Sequence, residues 1–343
     1  MKLGLNLGFL TSSRMNPVPM AVEAEKLGYD SVWVAEAWGS DAVSLLAWVG
    51  ASTRRIGLGT AILQIPSRTP ALTAMTAATL DRLSEGRLLL GLGVSGPQVI
   101  EGWHGVPYGK PLSRTRETVE IVRRILAREE PLVHRGESYS IPIENGSGLG
   151  KPLKLMVAPL RASIPIYIAA LGPRNVSLAA EIGDGWLPIF YSPFHSEIFR
   201  ESLDEGFSRR SPERRDQPFD VAPGVQVVLG SNLERCFDAV KPQLALYIGG
   251  MGAKEKNFYN DLARRYGYEA EAAAIQDLYL AGKKKEAIAL VPNELVDQVA
   301  LCGPKERIAE RVPAWKDGGA TTLICAIHDA AALRAMAEIL GKI

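Results

Sequence analysis

The stretch GRLLLGLGVSGP, residues 86–97, carries the clearest fold signal in this chain. Its apolar run, bounded by glycine at both ends, is typical of a parallel strand that is covered on both faces. Gly91, Gly93 and Gly96 leave space for another group to approach the backbone where the strand ends. The sequence therefore predicts a buried strand that ends in a glycine-rich turn.

The same stretch matches the G-x-G-x-x-G spacing of a dinucleotide-binding fingerprint, and Glu117 lies at a suitable distance downstream for a ribose contact. That fingerprint requires a helix to begin at its last glycine. Here Pro97 follows the glycine, and further Gly and Pro residues interrupt the sequence as far as position 111. The context disfavours a Rossmann site, and a plain tight turn is a second alternative.

The composition is that of a globular protein with no strong charge bias. The 343 residues are 47% hydrophobic and 22% charged, with a formal net charge of +1. The absence of a basic block argues against a nucleic acid or anionic membrane partner. Three scattered cysteines and four histidines indicate neither a disulfide framework nor a metal site. The N-terminal stretch is too short for a secretory signal, so the expected location is cytoplasmic.

Strand and helix patterns alternate outward from the opening stretch. Strands are predicted at residues 2–9, 31–35, 55–63, 87–92, 165–169, 185–189, 219–229 and 321–326. Helices are predicted at 17–27, 41–49, 70–83, 113–128, 173–182, 194–210, 303–316 and 330–340, with a long helical region at 233–298 and a hairpin at 131–142. Eight such units predict a (β/α)8 TIM barrel, with insertions after strands four and seven and a single domain spanning 1–343.

Active sites of such barrels lie at the C-terminal ends of the strands, so the residues that follow each strand are the candidates. Glu36 follows strand two, Gln64 follows strand three, and the glycine-rich turn follows strand four. After strand five, residues 170–175 lead directly into a helix. Small residues, open amides at a helix N-terminus and a neighbouring arginine favour an anion site there. An ordinary loop with proline at the first helical position is the alternative.

Five stretches together resemble the bacterial luciferase-like superfamily, and within it an actinobacterial group of coenzyme F420-dependent oxidoreductases. The resemblance covers nearly the full length, and no single stretch is specific by itself. The stretches are LGYDSVWVAEAWGSD (27–41), RIGLGTAILQIPSRTPA (55–71), GRLLLGLGVSGPQVIEGWHGVP (86–107), IPIYIAALGPRNVSLAAEIGDGWLP (164–188) and LALYIGGMGA (244–253).

The resemblance implies a tricyclic deazaflavin that lies across the mouth of the barrel. It implies a strand bulge behind the ring, with a cis peptide bond between Ala61 and Ile62. The ring system or its polar tail is expected to contact Glu36, Gln64, Val94 and Ser95. The loop expected to bind the cofactor phosphate contains Ala170, Leu171, Gly172, Arg174 and Asn175.

The chain departs from the resembled families at their acid–base positions. Relatives carry a histidine, a carboxylate and a phosphate-binding lysine where this chain has Ala37, Gly96 and Ser192, and the methanopterin reductases carry a glutamate where it has Asn6. A proton would have to come from another group, with Glu36 the first candidate catalytic residue. The others are Asp41, His104, Tyr108, Tyr191 and His195.

The function implied is hydride transfer between coenzyme F420 and an activated C=C, C=N or C=O bond of a small organic substrate. The alternatives are an FMN-dependent luciferase-like monooxygenase and a non-catalytic deazaflavin-binding protein. The expected pocket lining suggests an apolar or aromatic substrate. This lining consists of Trp38, Trp103, Tyr108, Phe190, Tyr191, Tyr247 and Met251.

The second and third helices are apolar or small on all sides, at residues 42–49 and 71–80. A helix of this kind must be covered on its outer face as well as its inner face. The sequence therefore predicts a homodimer joined through these helices, which Ala74→Arg is expected to split. Coverage by the hairpin or by the long helical region of the same chain is the alternative.

Overall fold

The computed structural model describes residues 1–8, 16–252, 254 and 256–343. Phe9 and Ala253, the ends of the predicted first strand and of the fifth resembling stretch, lie outside them. The strands are β1 (Lys2–Gly8), β2 (Ser31–Val34), β3 (Gly57–Thr60), β4 (Leu63–Gln64), β5 (Leu88–Gly93), β6 (His134–Arg135), β7 (Ser140–Ile141), β8 (Ile166–Ile168), β9 (Gly185–Trp186), β10 (Asp220–Val221), β11 (Gly224–Leu229), β12 (Ala300–Gly303) and β13 (Thr322–Ala326).

Helices follow most of the strands. They are α1 (Val18–Lys26), α2 (Ala42–Ser52), α3 (Pro70–Leu83), α4 (Pro97–Ile100), α5 (Pro111–Ala127), α6 (Pro173–Ile182), α7 (Glu197–Ser208), α8 (Pro212–Arg215), α9 (Leu233–Ala245), α10 (Phe258–Arg265), α11 (Glu269–Leu280), α12 (Lys284–Ala289), α13 (Asn293–Val299), α14 (Lys305–Asp317) and α15 (Ala330–Ile339). In the described residues, no helix combines the length and apolarity needed to cross a membrane.

The sheet is a parallel barrel. Its strands run in the order β10, β9, β8, β5, β3, β2, β1, β13, β11 and β12. The segment 220–229 closes the ring, because it pairs with β9 through β10 and with β13 through β11. A bridge between Ile189 and Gly224 adds to this closure. The predicted (β/α)8 barrel is therefore confirmed.

Two aromatic side chains fill the lower interior of the barrel. Trp33 and Tyr167 meet edge to face with ring centroids 5.2 Å apart. A side chain on Gly59 would overlap the Trp33 ring, and one on Gly185 would overlap the Tyr167 ring. These glycines are required because the large rings cross the barrel directly over their backbones.

The glycines of the opening stretch serve the barrel itself. A side chain on Gly91 would overlap the carbonyl oxygen of Thr60 on β3. The Thr60 hydroxyl donates to the Gly91 oxygen and accepts from the Gly91 nitrogen, both at 2.8 Å. The expected close approach to the backbone at Gly91 is therefore confirmed, and the approaching group is β3 of the same chain.

A helix does begin after Gly96, which was not expected. Gly96 is the N-cap of the four-residue α4, and Pro97 occupies its first turn, where proline needs no hydrogen-bonded N–H. Glu117 accepts from the backbone nitrogens of Ser138 and Tyr139 at 2.9–3.1 Å and lies 3.2 Å from the imidazole of His134. It therefore fastens the β6–β7 hairpin to α5, and the ribose role is wrong.

The region 233–298 is helical, as predicted, but it is divided into α9 to α13 and includes a π-helical turn at Leu246–Gly250. β12 follows it and was not predicted. Residues 300–303 are all buried, and so short an apolar run cannot be distinguished from a helix end by its pattern. β12 pairs with Gln226–Leu229 of β11. Whether this region and the hairpin are insertions, and whether 1–343 is one domain, stay predictions.

The outer faces of α2 and α3 are open in the single chain. Trp48 is 65% exposed, Leu72 45% and Met75 52%. The alternative that another part of the chain covers these side chains is therefore wrong for the described residues. Ala74 is 0% exposed because it faces the barrel. An arginine there would disrupt the fold, so Ala74→Arg was the wrong test of a dimer.

Candidate active site

A cleft of about 130 Å³ opens at the C-terminal ends of β5, β8 and β9. Most of the residues predicted to bind the cofactor line it. Those are Ile62, Val94, Ser95, Ala170, Leu171, Gly172 and Asn175. Ala169, Leu187, Ile189, Phe258 and Tyr259 complete the lining together with Gly93. The cleft lies where barrel enzymes carry their chemistry.

The wall between β3 and β4 carries the expected backbone feature, since the Ala61–Ile62 peptide bond is cis. Ile62 turns toward the cleft and packs against β5, where a Cβ on Gly93 would lie 2.8 Å from its Cδ1. Ala61 lies below, against the Trp33 and Tyr167 cluster. Glycine at position 93 therefore gives Ile62 its place in the cleft wall.

The loop before α6 forms the other end of the cleft. Gly172 is the N-cap of α6, and a Cβ built there would have nothing within 4 Å. The indole nitrogen of Trp186 donates to the Ala170 oxygen at 2.9 Å, which holds the start of the loop. A phosphate fits this end, because the amides and dipole of a helix N-terminus favour an anion. Arg174 is exposed and lines an adjoining groove with Arg116 and Arg209.

A chain of hydrogen bonds lies behind Ser95. Gln64 is fully buried, and its amide nitrogen donates to the Ser95 hydroxyl at 2.8 Å. Its amide oxygen lies 2.8 Å from Nε2 of His104. The hydroxyl of Tyr108 donates to the Ser95 carbonyl at 3.2 Å, and burial raises its pKa to about 12. Tyr108 is thus a proton donor in a hydrogen bond and stays neutral.

Glu36 lies outside the lining of the cleft and is part of an ion pair. Its carboxylate accepts from Arg68 at 3.0 and 3.3 Å and from the Ala42 nitrogen at 3.2 Å. Arg68 also reaches Asp41 at 2.9 Å. Burial opposes ionisation of Asp41, but hydrogen bonds from Ser44 and the charge of Arg68 outweigh it and lower its pKa. In the described part of the chain, no group of three or more His, Cys, Asp or Glu could hold a metal ion.

The residues predicted to line a substrate pocket fall into four groups. Trp38, Trp103 and Met251 line an open apolar recess of about 400 Å³. Phe190 and Tyr247 meet edge to face at 5.2 Å, and Tyr108 belongs to the Ser95 network. Tyr191 is 2% exposed, stacks on Phe199 and donates to the Gly318 carbonyl. It therefore belongs to the core.

Several site residues were missed from the sequence. Phe258 and Tyr259 begin α10 and reach the cleft, and Arg68 holds both acids near strand two. Asn257 accepts from the nitrogens of residues 259 and 260, so an N-cap signal could have located the start of α10. The path of α10 back to the cleft depends on tertiary packing and has no sequence signal.

A family model for luciferase-like monooxygenases matches residues 13–322. The chain therefore belongs to the luciferase-like monooxygenase family. Within that family it belongs with the coenzyme F420-dependent oxidoreductases. It is 46% identical over 342 residues to a protein of Mycobacterium tuberculosis named as a putative coenzyme F420-dependent oxidoreductase, covering 99% of each chain.

More distant relatives agree. The 5,10-methylenetetrahydromethanopterin reductase of Archaeoglobus fulgidus is 28% identical over 326 residues, which cover 93% of this chain and 91% of the relative. The coenzyme F420-dependent tetrahydromethanopterin reductase of Methanopyrus kandleri superposes with a TM-score of 0.78 at 21% identity, covering 98% of this chain and 97% of the other. The latter likeness shows the shared fold.

Proposed function

We propose that this protein transfers a hydride between coenzyme F420 and an activated C=C, C=N or C=O bond of a small organic substrate. One observation carries the proposal. The N-cap of α6 opens into the cleft at Gly172, where a Cβ would meet no atom within 4 Å, in a chain of the F420-dependent group. A cofactor phosphate would be favoured at this helix N-terminus, and the rest of the cofactor would then lie along a cleft lined by Ile62 and Ser95.

The residues of the cleft divide the task of holding the cofactor. Gly172 and Asn175 hold the phosphate end, while Ile62 and Val94 contact the ring system. Gln64 fixes the Ser95 hydroxyl from behind. The deazaflavin supplies the hydride, and the protein orients it and excludes water.

A proton donor is needed beside the hydride source, and the candidates are not equally placed. Glu36 and Asp41 are held by Arg68, and Tyr191 lies in the core. The imidazole of His195 faces Ser192 and Tyr266. His104 instead contacts Gln64, directly behind the cleft. Of these groups His104 is therefore the first candidate for the proton donor, and Glu36 has a positioning role.

Identification of the native cofactor tests the proposal. We expect protein from a host that makes F420 to release a compound with the absorbance band that names this coenzyme. FMN in its place would favour the luciferase-like monooxygenase alternative. Multiple turnovers with activated alkenes or ketones would exclude a non-catalytic binding protein, and the absence of F420 binding would contradict the proposal. A cytoplasmic location stays a prediction.

We also propose a homodimer formed through the outer faces of α2 and α3. Trp48, Leu72 and Met75 leave an apolar surface in water that a second copy would cover. Met75→Arg should reduce the mass measured by light scattering from dimer to monomer, because it places a charge in the contact. Leu280→Arg, at a 50% exposed leucine of α11, is the matched control and should stay dimeric. A monomeric wild-type protein at micromolar concentration would contradict the dimer.

A further inference from the structure

A second cavity, of about 60 Å³, lies at the mouth of the barrel on the side away from the proposed phosphate site. Three side-chain amides line it, from Asn6 on β1, Gln226 on β11 and Gln243 on α9. The other described residues of its lining are apolar or glycine. These three residues lie far apart in the sequence, and the fold brings their amide groups together in one cavity.

The strand register brings two of the amides to the same level. Asn6 and Gln226 both pair with Ala326 of β13, from opposite sides. Directly opposed residues of a parallel sheet point to the same face, so both side chains share the face of Ala326. One layer below, Gly4 and Gly224 pair in the same way with Ile324, which packs in the interior with Trp33 and Tyr167. The amides therefore form the top interior layer, and the small Ala326 leaves the space between them open.

The amides retain most of their hydrogen-bonding capacity. The Asn6 amide oxygen accepts from the Gly8 nitrogen at 2.8 Å, which leaves its NH₂ group to donate. Within the described residues, the side chains of Gln226 and Gln243 have no hydrogen-bond partner. Each primary amide offers two donors and one acceptor oxygen.

Among the residues that the structure describes, no charged side chain lines the cavity. A charged ligand group would lose its hydration in the cavity without an opposite charge to compensate. A carbonyl, amide or hydroxyl group would find both donors and acceptors. The chemistry of the lining thus selects neutral polar groups.

We propose that Asn6, Gln226 and Gln243 bind an uncharged hydrogen-bonding group of the substrate, such as a carboxamide, lactam or ketone. This assignment to the substrate rests on the proposed function. The cavity shares Ile189 with the cofactor cleft, but it lies over β1, β11 and β13, whereas the cofactor residues follow β3, β5 and β8. A substrate with its polar group here would reach the cleft past Ile189.

Calorimetric titration of the cofactor-free protein with benzamide and benzoate tests the neutral-group selection. Benzamide should bind at least tenfold more tightly than benzoate. Gln226→Met keeps the side-chain length and should weaken benzamide at least tenfold. Gln226→Glu should weaken benzamide and allow the benzamidinium cation to bind. Gln217→Met, at an exposed glutamine elsewhere, should change nothing. No benzamide binding, equal binding of benzoate, or an unchanged Gln226→Met affinity would overturn the proposal.

A second titration separates substrate from cofactor as the source of the neutral group. The affinity for F420, followed by the fluorescence of the coenzyme, should be unchanged in Gln226→Met. A tenfold loss would mean that the amides hold the polar edge of the cofactor ring, which would overturn the assignment to the substrate. If the wild-type protein fails to bind F420 at all, the proposed function fails, while the benzamide titration still decides the selectivity of the cavity.

Discussion

The two sides of the barrel mouth are lined by different kinds of groups. Over β3, β5 and β8 the cleft is formed by backbone and small side chains, with Gly172 open at a helix N-terminus and Ile62 seated over Gly93. Over β1, β11 and β13 the cavity is formed by the long amide side chains of Asn6 and Gln226. A backbone-built site suits a cofactor shared by many enzymes, because main-chain groups vary little. A site built from side chains can be changed by single substitutions, which suits a substrate.

The largest effect expected from this comparison is at Gly172. A leucine there projects into the cleft, since a Cβ meets no protein atom and the backbone φ of −71° suits any residue. We expect the fold to persist and the affinity for F420 to fall at least 100-fold, a loss of about 2.7 kcal/mol. Fluorescence titration measures the affinity, and thermal unfolding checks the fold.

Gly224 provides the reciprocal substitution on the other side. It lines the amide cavity, and a Cβ there also has nothing within 4 Å. Gly224→Leu should block benzamide and leave F420 affinity within twofold of the wild type. An effect on F420 as large as that of Gly172→Leu would show that one ligand spans both sides, and the division of the mouth would be wrong.

The sequence predicted the backbone-built side far better than the side-chain side. Hydrophobic periodicity and glycine spacing are local features of the sequence. The barrel strands and the loop at Gly172 could therefore each be predicted from a single stretch. Glycine spacing predicted a close approach at Gly91 but not its partner, which is Thr60 of a neighbouring strand. The amide layer could not be found, because Asn6 and Gln226 become neighbours only through the register of β13 between them. β12 was missed for the same reason, because its pairing with β11 depends on tertiary contacts between distant segments.

A smaller but substantial effect is expected at His104, which contacts Gln64 behind the cofactor cleft. His104→Ala should lower kcat about 100-fold, the usual contribution of a general acid or base. F420 affinity should stay unchanged, because Gln64 still donates to Ser95. Imidazole added to the buffer should restore part of the turnover of His104→Ala.

His195→Ala is the matched control, since that imidazole contacts Ser192 and Tyr266 rather than Gln64. It should keep wild-type turnover. A His104→Ala enzyme with unchanged kcat, or an equal loss in His195→Ala, would remove His104 from the reaction.

The smallest effect is expected at Glu36, which lies outside the cofactor cleft and acts on it through Arg68. Its side chain is 10% exposed and paired with Arg68, at the end of the 3₁₀ turn Ile65–Ser67 that directly follows Gln64. Glu36→Gln keeps the shape and removes the charge, so Arg68 loses its buried partner and the turn loses its anchor. We expect turnover about tenfold lower, equivalent to about 1.4 kcal/mol of transition-state stabilisation.

Asp41→Asn separates positioning from simple loss of an ion pair. Asp41 is the other partner of Arg68, but its side chain is 46% exposed, and exposed pairs contribute little. Asparagine also replaces it well as the N-cap of α2. Turnover of Asp41→Asn should therefore stay within about twofold of the wild type. If Glu36→Gln also turned over at the wild-type rate, the carboxylate would only fasten Arg68 to α2. The cofactor cleft over β3, β5 and β8 would then not depend on the charge of Glu36.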